Sequence, residues 1–126
     1  MKKLIMAMVV VTTILFNVSA FAGEANVYHV VLLKLKEGVT HEQAEEMFTV
    51  GKALLSQIPG VLEVSLGKKA LDNRDVHIKE YDVALCVKWE AIETGQVYGP
   101  HILHKSFLKL YGPTVSGMKI MDFYGN

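Results

Sequence analysis

The chain has 126 residues, of which 13 are lysine or arginine and 13 are aspartate or glutamate, so its formal net charge is zero. This length fits one domain, and a hydrophobic content of 51% is enough to build a core for it. A composition without a basic excess argues against binding to nucleic acid or to an anionic membrane surface.

The first 22 residues are predicted to be a cleaved signal peptide. Two lysines precede an uncharged apolar run, residues 4–16, which is too short to span a bilayer comfortably. A small-x-small cleavage motif ends at Ala22, and cleavage there would leave residues 23–126 in the periplasm or outside the cell, with no membrane attachment. An uncleaved N-terminal anchor is the alternative. Loss of the two lysines leaves 11 basic residues against 13 acidic ones.

The rest of the chain alternates between strand and helix patterns. A first helix is predicted after Thr40, which forms a capping box with Gln43, and it ends before Pro59. A second helical region is broken at Pro100, and its main part covers residues 101–110. Strands are predicted over residues 27–36, 61–66, 81–89 and 117–124. The charged segment 67–79 is predicted to be a solvated loop, with a mobile lid over a pocket as the alternative.

The order of these elements, β-α-β-β-α-β, is typical of the ferredoxin-like α+β plait with an antiparallel sheet. Two helices can cover only one face of a four-stranded sheet. Tyr28, Val30 and Leu32 nevertheless make the other face of the first strand apolar. The pattern therefore predicts a homodimer in which two sheets meet, which is a dimeric α+β barrel.

Cys86 is the only cysteine, so an internal disulfide is excluded and the domain must be stabilised by its core or by oligomerisation. Its place in the third predicted strand favours a buried, unreactive thiol. Trp89 is interpreted as a core residue of the same strand. Asp122 is an acid in the otherwise apolar last strand.

Five segments make the chain similar to a known family of small dimeric α+β-barrel proteins, the stress-responsive A/B barrel family. The similarity covers nearly all of residues 27–124, in segments 29–36, 57–62, 80–85, 101–104 with Phe107, and 121–123. The family commonly has a His-Pro-x-His motif in its second helical region. Here the proline precedes the first histidine, and Ile102 takes its usual place, but the spacing of the two histidines is kept.

The resemblance implies a pocket, which a plant polyketide cyclase of this family uses for an aldol condensation with two histidines and two tyrosines. His29 and His104 correspond to the histidines, with His104 as the base, and Tyr98 corresponds to one tyrosine. The second tyrosine position is occupied by Gly51, which is expected to widen the cavity. The residues predicted to line the ligand site are Val31, Leu33, Gly51, His101 and Phe107. The resemblance also places Asp122 near a strand end, where the acid is expected to be solvated.

Three interpretations of function stay open, and binding of a small hydrophobic ligand, in a family associated by name with stress response, is the leading one. The second is a lyase, cyclase or isomerase, because a neutral imidazole in an apolar pocket can abstract an acidic proton near pH 7 while another polar group holds the enolate. The third is a structural oligomer in which His29 and His104 are core residues, hydrogen-bonded to each other or to the backbone.

No cofactor is predicted. His101 and His104 have a spacing compatible with a metal on one helix, but no carboxylate or cysteine in the motif completes a ligand set. Nothing in the pattern distinguishes a haem ligand from an ordinary pocket histidine.

Overall fold

The computed structural model describes residues 25–125. The predicted signal peptide, residues 1–22, lies outside the described residues. The elements are β1 (Asn26–Leu35), α1 (His41–Leu55), β2 (Val61–Lys68), β3 (Val83–Trp89), α2 (Thr94–Tyr98), α3 (Ile102–Tyr111), a 3₁₀ turn (Gly112–Thr114) and β4 (Val115–Gly125). Their order and the antiparallel sheet β2-β3-β1-β4 confirm the predicted ferredoxin-like α+β fold.

Helix α1 begins at the predicted capping box. The hydroxyl of Thr40 accepts from the Gln43 amide at 3.2 Å, and the Gln43 side chain accepts from the Thr40 amide at 2.8 Å. Met47, Gly51 and Leu55 form the buried stripe of the helix, at the spacing that places them on one face. This stripe packs α1 against β2 of the sheet and against α3 (Ile102–Tyr111).

The second helical region is split at Gly99 and Pro100, as predicted, because Pro100 has no amide hydrogen with which to continue the hydrogen-bond ladder of α2. Gly99 itself is still helical, at φ −53° and ψ −56°, and the backbone becomes extended at His101. Helix α3 restarts with His101 as its N-cap, and the Nδ1 atom of His101 accepts from the Leu103 amide at 3.1 Å. The break leaves α2 as a short helix whose last residue, Tyr98, is buried.

The core lies on the side of the sheet that faces the helices. Val27, Val31 and Leu33 of β1 are buried there, and so are the alternate residues of β3. The side chains of Tyr28, Val30 and Leu32 point to the opposite face. On the same face of β4, Lys119, Met121 and Phe123 are exposed. An apolar face of the described domain is therefore left uncovered.

Cys86 lies on this uncovered face, opposite Val30. It is half-buried, whereas the sequence predicted a buried residue. Burial is still the first cause of the raised pKa of its thiol, and the carboxylate of Glu63 adds to it. The prediction of an unreactive thiol is consistent with this direction.

Candidate ligand-binding and catalytic site

A cavity of about 620 Å³ opens between helix α3 and the strands β1 and β4. Its volume is in the range of small-molecule sites, and its surface is mainly apolar. The aliphatic and aromatic wall includes Val31, Leu33, Leu85, Phe107, Met118 and Ile120. Of the predicted ligand-site residues, Val31, Leu33 and Phe107 are thus on the wall.

The three residues predicted to carry chemistry also meet at this cavity. His29 comes from β1, Tyr98 from the end of α2 and His104 from α3, and all three line the same space. The ring centroid of Tyr98 is 4.5 Å from that of His104 and 5.6 Å from that of His29. The fold therefore brings two histidines that are distant in sequence to either side of one tyrosine.

His29 is held by a carboxylate. In the β1–β4 register His29 lies directly opposite Asp122, and the two side chains share a face of the sheet. The Nδ1 atom is 2.6 Å from Oδ1 of Asp122, with the histidine side chain 13% exposed and the aspartate 47% exposed. Because a carboxylate only accepts, Nδ1 carries the proton and Nε2 is left with its lone pair when the ring is neutral.

His104 is held by the backbone. Its Nδ1 atom is 2.9 Å from the carbonyl oxygen of Gly99, which lies at the break between α2 and α3. A carbonyl oxygen can only accept, so Nδ1 is again the donor and Nε2 is the basic atom of the neutral ring. The two histidines thus have separate partners, one of them the backbone as one sequence interpretation allowed.

Two aromatic side chains complete the polar end of the cavity. Tyr98 is buried, and burial raises the pKa of its hydroxyl, which keeps it a neutral donor. Trp89 is a core residue, as expected, and it also lies on the cavity wall, with its indole stacked on His29 at 4.7 Å between centroids. The alternation of β3 is enough to place Trp89 on the helix side of the sheet. The cavity on that side is formed by several elements together, so the pattern of one strand could not predict it.

Gly51 and His101, predicted to be ligand-site residues, lie away from the described cavity wall. A Cβ atom at Gly51 would lie 2.7 Å from Cε2 of Phe107, so the missing side chain makes room for the Phe107 ring and lets α1 and α3 pack closely, and it does not itself open onto the cavity. His101 turns its Nδ1 atom to the backbone of α3 as the N-cap. His101 therefore precedes α3, whereas His104 lies within the helix and lines the cavity.

Sequence reasoning missed three contributions from β4 to the site. Asp122 was expected to be a solvated acid, and it is also the partner of His29. Met118 and Ile120 are about half exposed and form one side of the cavity. The alternation of these three residues along β4 was the available signal, but the pairing of β4 with β1 was needed to use it.

Among residues 25–125, no three histidine, cysteine, aspartate or glutamate side chains are grouped so that they could hold a metal ion. No helix in this part of the chain is long and apolar enough to cross a membrane.

The fold is that of a ferredoxin-like α+β domain, and comparison with known proteins identifies the family. The model of the stress responsive A/B barrel domain matches residues 27–124. The chain belongs to this family, as its motifs predicted. Olivetolic acid cyclase from Cannabis sativa is 32% identical over 101 residues, which cover 77% of this chain and 94% of the cyclase.

Solved structures agree on the fold. A hydroxynitrile lyase from Passiflora edulis superposes with a TM-score of 0.71 at 13% identity, covering 82% of this chain and 96% of the lyase. A dimeric ferredoxin-like protein from Thermobifida fusca superposes with a TM-score of 0.69 at 20% identity, covering 81% and 92% of the two chains. At these identities the likeness concerns the fold, and several of the neighbours are described as dimeric.

Proposed function

We propose that this protein binds a small, mostly apolar ligand in the cavity beside α3. The observation that carries the proposal is the cavity itself, which has about 620 Å³ of space and an aliphatic and aromatic wall. Burying an apolar molecule there removes its surface from water, at about 25 cal/mol per Å², and this gain must exceed the cost of immobilising the ligand. Four polar side chains at one end, those of His29, Trp89, Tyr98 and His104, would orient it.

Titration with butylbenzene tests this proposal directly. Trp89 is the only tryptophan of the chain and lies on the cavity wall, so its fluorescence reports occupancy. We expect a saturable change with a dissociation constant below about 1 mM.

Two neighbouring residues of β4 offer a matched pair of variants. Ile120 is on the cavity wall, whereas Met121 points to the other face, and the two are similarly exposed, at 54% and 58%. Ile120→Phe fills cavity space and is expected to weaken binding at least about fivefold, while Met121→Phe is expected to leave it within about twofold of the parent. A response that does not saturate, or equal effects of the two variants, would contradict binding in this cavity.

The second candidate function is catalysis of proton transfer on an enolisable carbonyl compound. It is favoured by the hydrogen bond from His104 Nδ1 to Gly99, which leaves Nε2 of the neutral ring as a base beside Tyr98. Nε2 would take a proton from the carbon next to the carbonyl, and the C–H electron pair would move onto the oxygen as an enolate. Tyr98 would hydrogen-bond the enolate, and the imidazolium would later return the proton. The 32% sequence identity to olivetolic acid cyclase supports this candidate.

Hydrogen–deuterium exchange into butyrophenone tests the catalytic candidate without knowledge of the natural substrate. The loss of its α-CH₂ signal in D₂O is followed by NMR with and without the protein. Replacement of a general base commonly slows a reaction by about 10²–10⁴-fold, so His104→Gln is expected to remove most of the acceleration. His41→Gln is the control, because His41 is an exposed residue of α1 that pairs with Glu45. An exchange rate that is the same with and without protein would contradict catalysis and leave ligand binding as the one proposed function.

The assembly that we propose is a homodimer in which the uncovered faces of two sheets meet. Support comes from Tyr28, Val30 and Leu32 on that face, from exposed Met121 and Phe123, and from the dimeric neighbours. Light scattering coupled to size exclusion is expected to give twice the chain mass.

We further propose that the protein is exported, on the strength of the signal-peptide pattern in residues 1–22. N-terminal sequencing of the protein isolated from its cells would then begin at Gly23. Recovery with residues 1–22 still attached would contradict cleavage.

A further inference from the structure

The apolar wall of the cavity is partly open to solvent along the strand β4. Met118 and Ile120 line the cavity, yet they are 55% and 54% exposed, and Leu108 of α3 is 46% exposed. Strand β4 is also an outermost strand of the sheet, since it pairs with β1 alone. Exposed apolar side chains that are grouped in this way are typical of a surface that another group covers.

The loop between β2 and β3, residues 69–82, is a second apolar surface. It contains no helix or strand and presents Leu71, Val76 and Ile78 to solvent, at 64%, 77% and 58% exposure. No residue of this loop lines the cavity of its own chain. The loop was predicted to be solvated, but three large apolar side chains within it indicate a contact surface.

Contacts of Lys69 hold this loop in shape. The Lys69 amide donates to the Asp82 carbonyl oxygen at 2.8 Å, which joins the two ends of the loop. The Lys69 ammonium group donates to the Lys79 carbonyl oxygen at 3.1 Å and is 3.0 Å from the carboxylate of Asp72. A loop that is already ordered loses less conformational entropy when its side chains contact a partner.

The register of the sheet places the loop and the open part of the cavity at the same end. Lys68, Val83, Leu33 and Met118 are aligned in one row across the four strands. The loop begins directly after Lys68 at one edge of the sheet, and Met118 lies at the other edge, three strand spacings or about 14 Å away. The loop is therefore level with its own cavity but separated from it by the width of the sheet.

Charges on the uncovered face favour one way of joining two sheets. Among the described residues on that face, β2 carries one charge, Glu63, and β4 carries one, Lys119. A twofold axis parallel to the strands places β2 of each subunit against β4 of the other, and thus opposite charges at one edge. An axis across the strands would place each edge against its own copy and bring like charges together, which is unfavourable.

We propose that the loop of one subunit closes the cavity of the other. With the axis parallel to the strands, corresponding ends of the two sheets coincide, so the loop of each subunit comes beside the open part of the other cavity. Apolar side chains of the partner's loop, Leu71, Val76 and Ile78, then cover Met118 and Ile120. The inference rests on the proposed ligand-binding function and on the proposed dimer, and it adds that one chain alone holds an incomplete site.

Cross-linking between two different chains tests the placement of the loop without a ligand. One chain carries Val76→Cys and the other carries Met118→Cys and an affinity tag, both with Cys86→Ala, and the two are coexpressed. A short bismaleimide is expected to join them into a covalent mixed dimer. Ile102→Cys in place of Val76→Cys is the control, because Ile102 is similarly exposed, at 69%, but lies on α3 in the helix layer. The control is expected to give no mixed dimer.

Replacement of the apolar side chains of the loop tests whether it closes the cavity. Serine at all three of its exposed apolar positions is expected to weaken the binding of butylbenzene at least about fivefold, because part of the ligand then stays in contact with water. The matched control has serine at three exposed apolar positions outside the loop and the cavity wall, which are Ile92, Val97 and Ile102. This control is expected to change the affinity less than about twofold.

The outcomes distinguish failure of this inference from failure of the proposed function. A mixed cross-link together with a selective loss of affinity in the loop variant supports the inference. A monomeric parent protein, a dimer without the mixed cross-link, or a loop variant that binds as tightly as its control overturns it, while butylbenzene binding by the parent still supports the proposed function. A specific cross-link in a parent protein that does not bind butylbenzene supports the placement of the loop and contradicts the proposed function.

Discussion

Replacement of Gly51 by alanine is expected to destabilise the protein and to narrow the cavity at the same time. The new Cβ atom would lie 2.7 Å from Cε2 of Phe107 and 3.0 Å from Cδ1 of Leu66. Both distances are shorter than ordinary van der Waals contact, so at least one side chain must move by several tenths of an ångström. Phe107 lies between Gly51 and the cavity, and its ring would move into the space of a ligand.

Two opposing contributions determine the magnitude of the effect. Overpacking of a core position typically costs about 1–3 kcal/mol, whereas alanine in place of glycine within a helix is favourable by about 1 kcal/mol. With about 2 kcal/mol for the two close contacts, the free energy of unfolding falls by about 1 kcal/mol. For a domain of this size, that corresponds to a melting temperature lower by about 4–8 °C.

Thermal unfolding followed by circular dichroism at one fixed protein concentration measures this loss, and titration with butylbenzene measures the narrowing. Gly67→Ala is the control for unfolding, because a Cβ atom there meets nothing within 4 Å, its φ is not positive and it lies in the strand β2, away from the cavity wall. It is expected to stabilise the protein by about 0.4–1 kcal/mol. The reasoning is refuted if Gly51→Ala raises the melting temperature as Gly67→Ala does and leaves the affinity for butylbenzene unchanged.

Three further predictions concern other parts of the molecule. Asp122→Ala removes the acceptor that holds the proton on Nδ1 of His29, so ¹⁵N NMR is expected to detect both tautomers of that ring. The free energy of unfolding is expected to fall by about 1 kcal/mol. An unchanged single tautomer would contradict the proposed role of the carboxylate. Val30→Lys places a charge on the uncovered face of the sheet and is expected to convert the dimer to monomers in light scattering, whereas a parent protein that is already monomeric would refute the interface. Burial raises the pKa of the Cys86 thiol above its ordinary value, so its thiolate fraction at pH 8 is low, and iodoacetamide is expected to alkylate it more slowly than free cysteine. Equal rates would contradict this environment.

Much of the architecture could be predicted from local patterns. The capping box at Thr40, the break at Pro100 and the alternation of β1 each depend on residues within a few positions of one another, and all three are present in the structure. The errors are at element ends: β4 begins at Val115 rather than at residue 117, and β3 begins at Val83 rather than at residue 81. Hydrogen bonding to neighbouring strands determines where a strand ends, and this information is not local.

The candidate site could be predicted only in part, because its residues come from elements that are far apart along the chain. His29, Tyr98 and His104 were found because they stand in recognisable motifs, although their functional roles are still predictions. The use of Gly51 as a packing contact depends on how closely α1 approaches α3, which no pattern within α1 contains. Trp89 differs from an ordinary core residue only because the space beside it is left unfilled.

The sequence by itself determined the order of the strands and helices and the family, because periodicity and motifs are local properties. Only the tertiary structure decided the pairing of His29 with Asp122, the carbonyl group that orients His104, and the cavity between them. These three features depend on strand register and on the distances between separate elements. Such distances are set by the packing of the whole domain, and so they appear only once the elements are assembled.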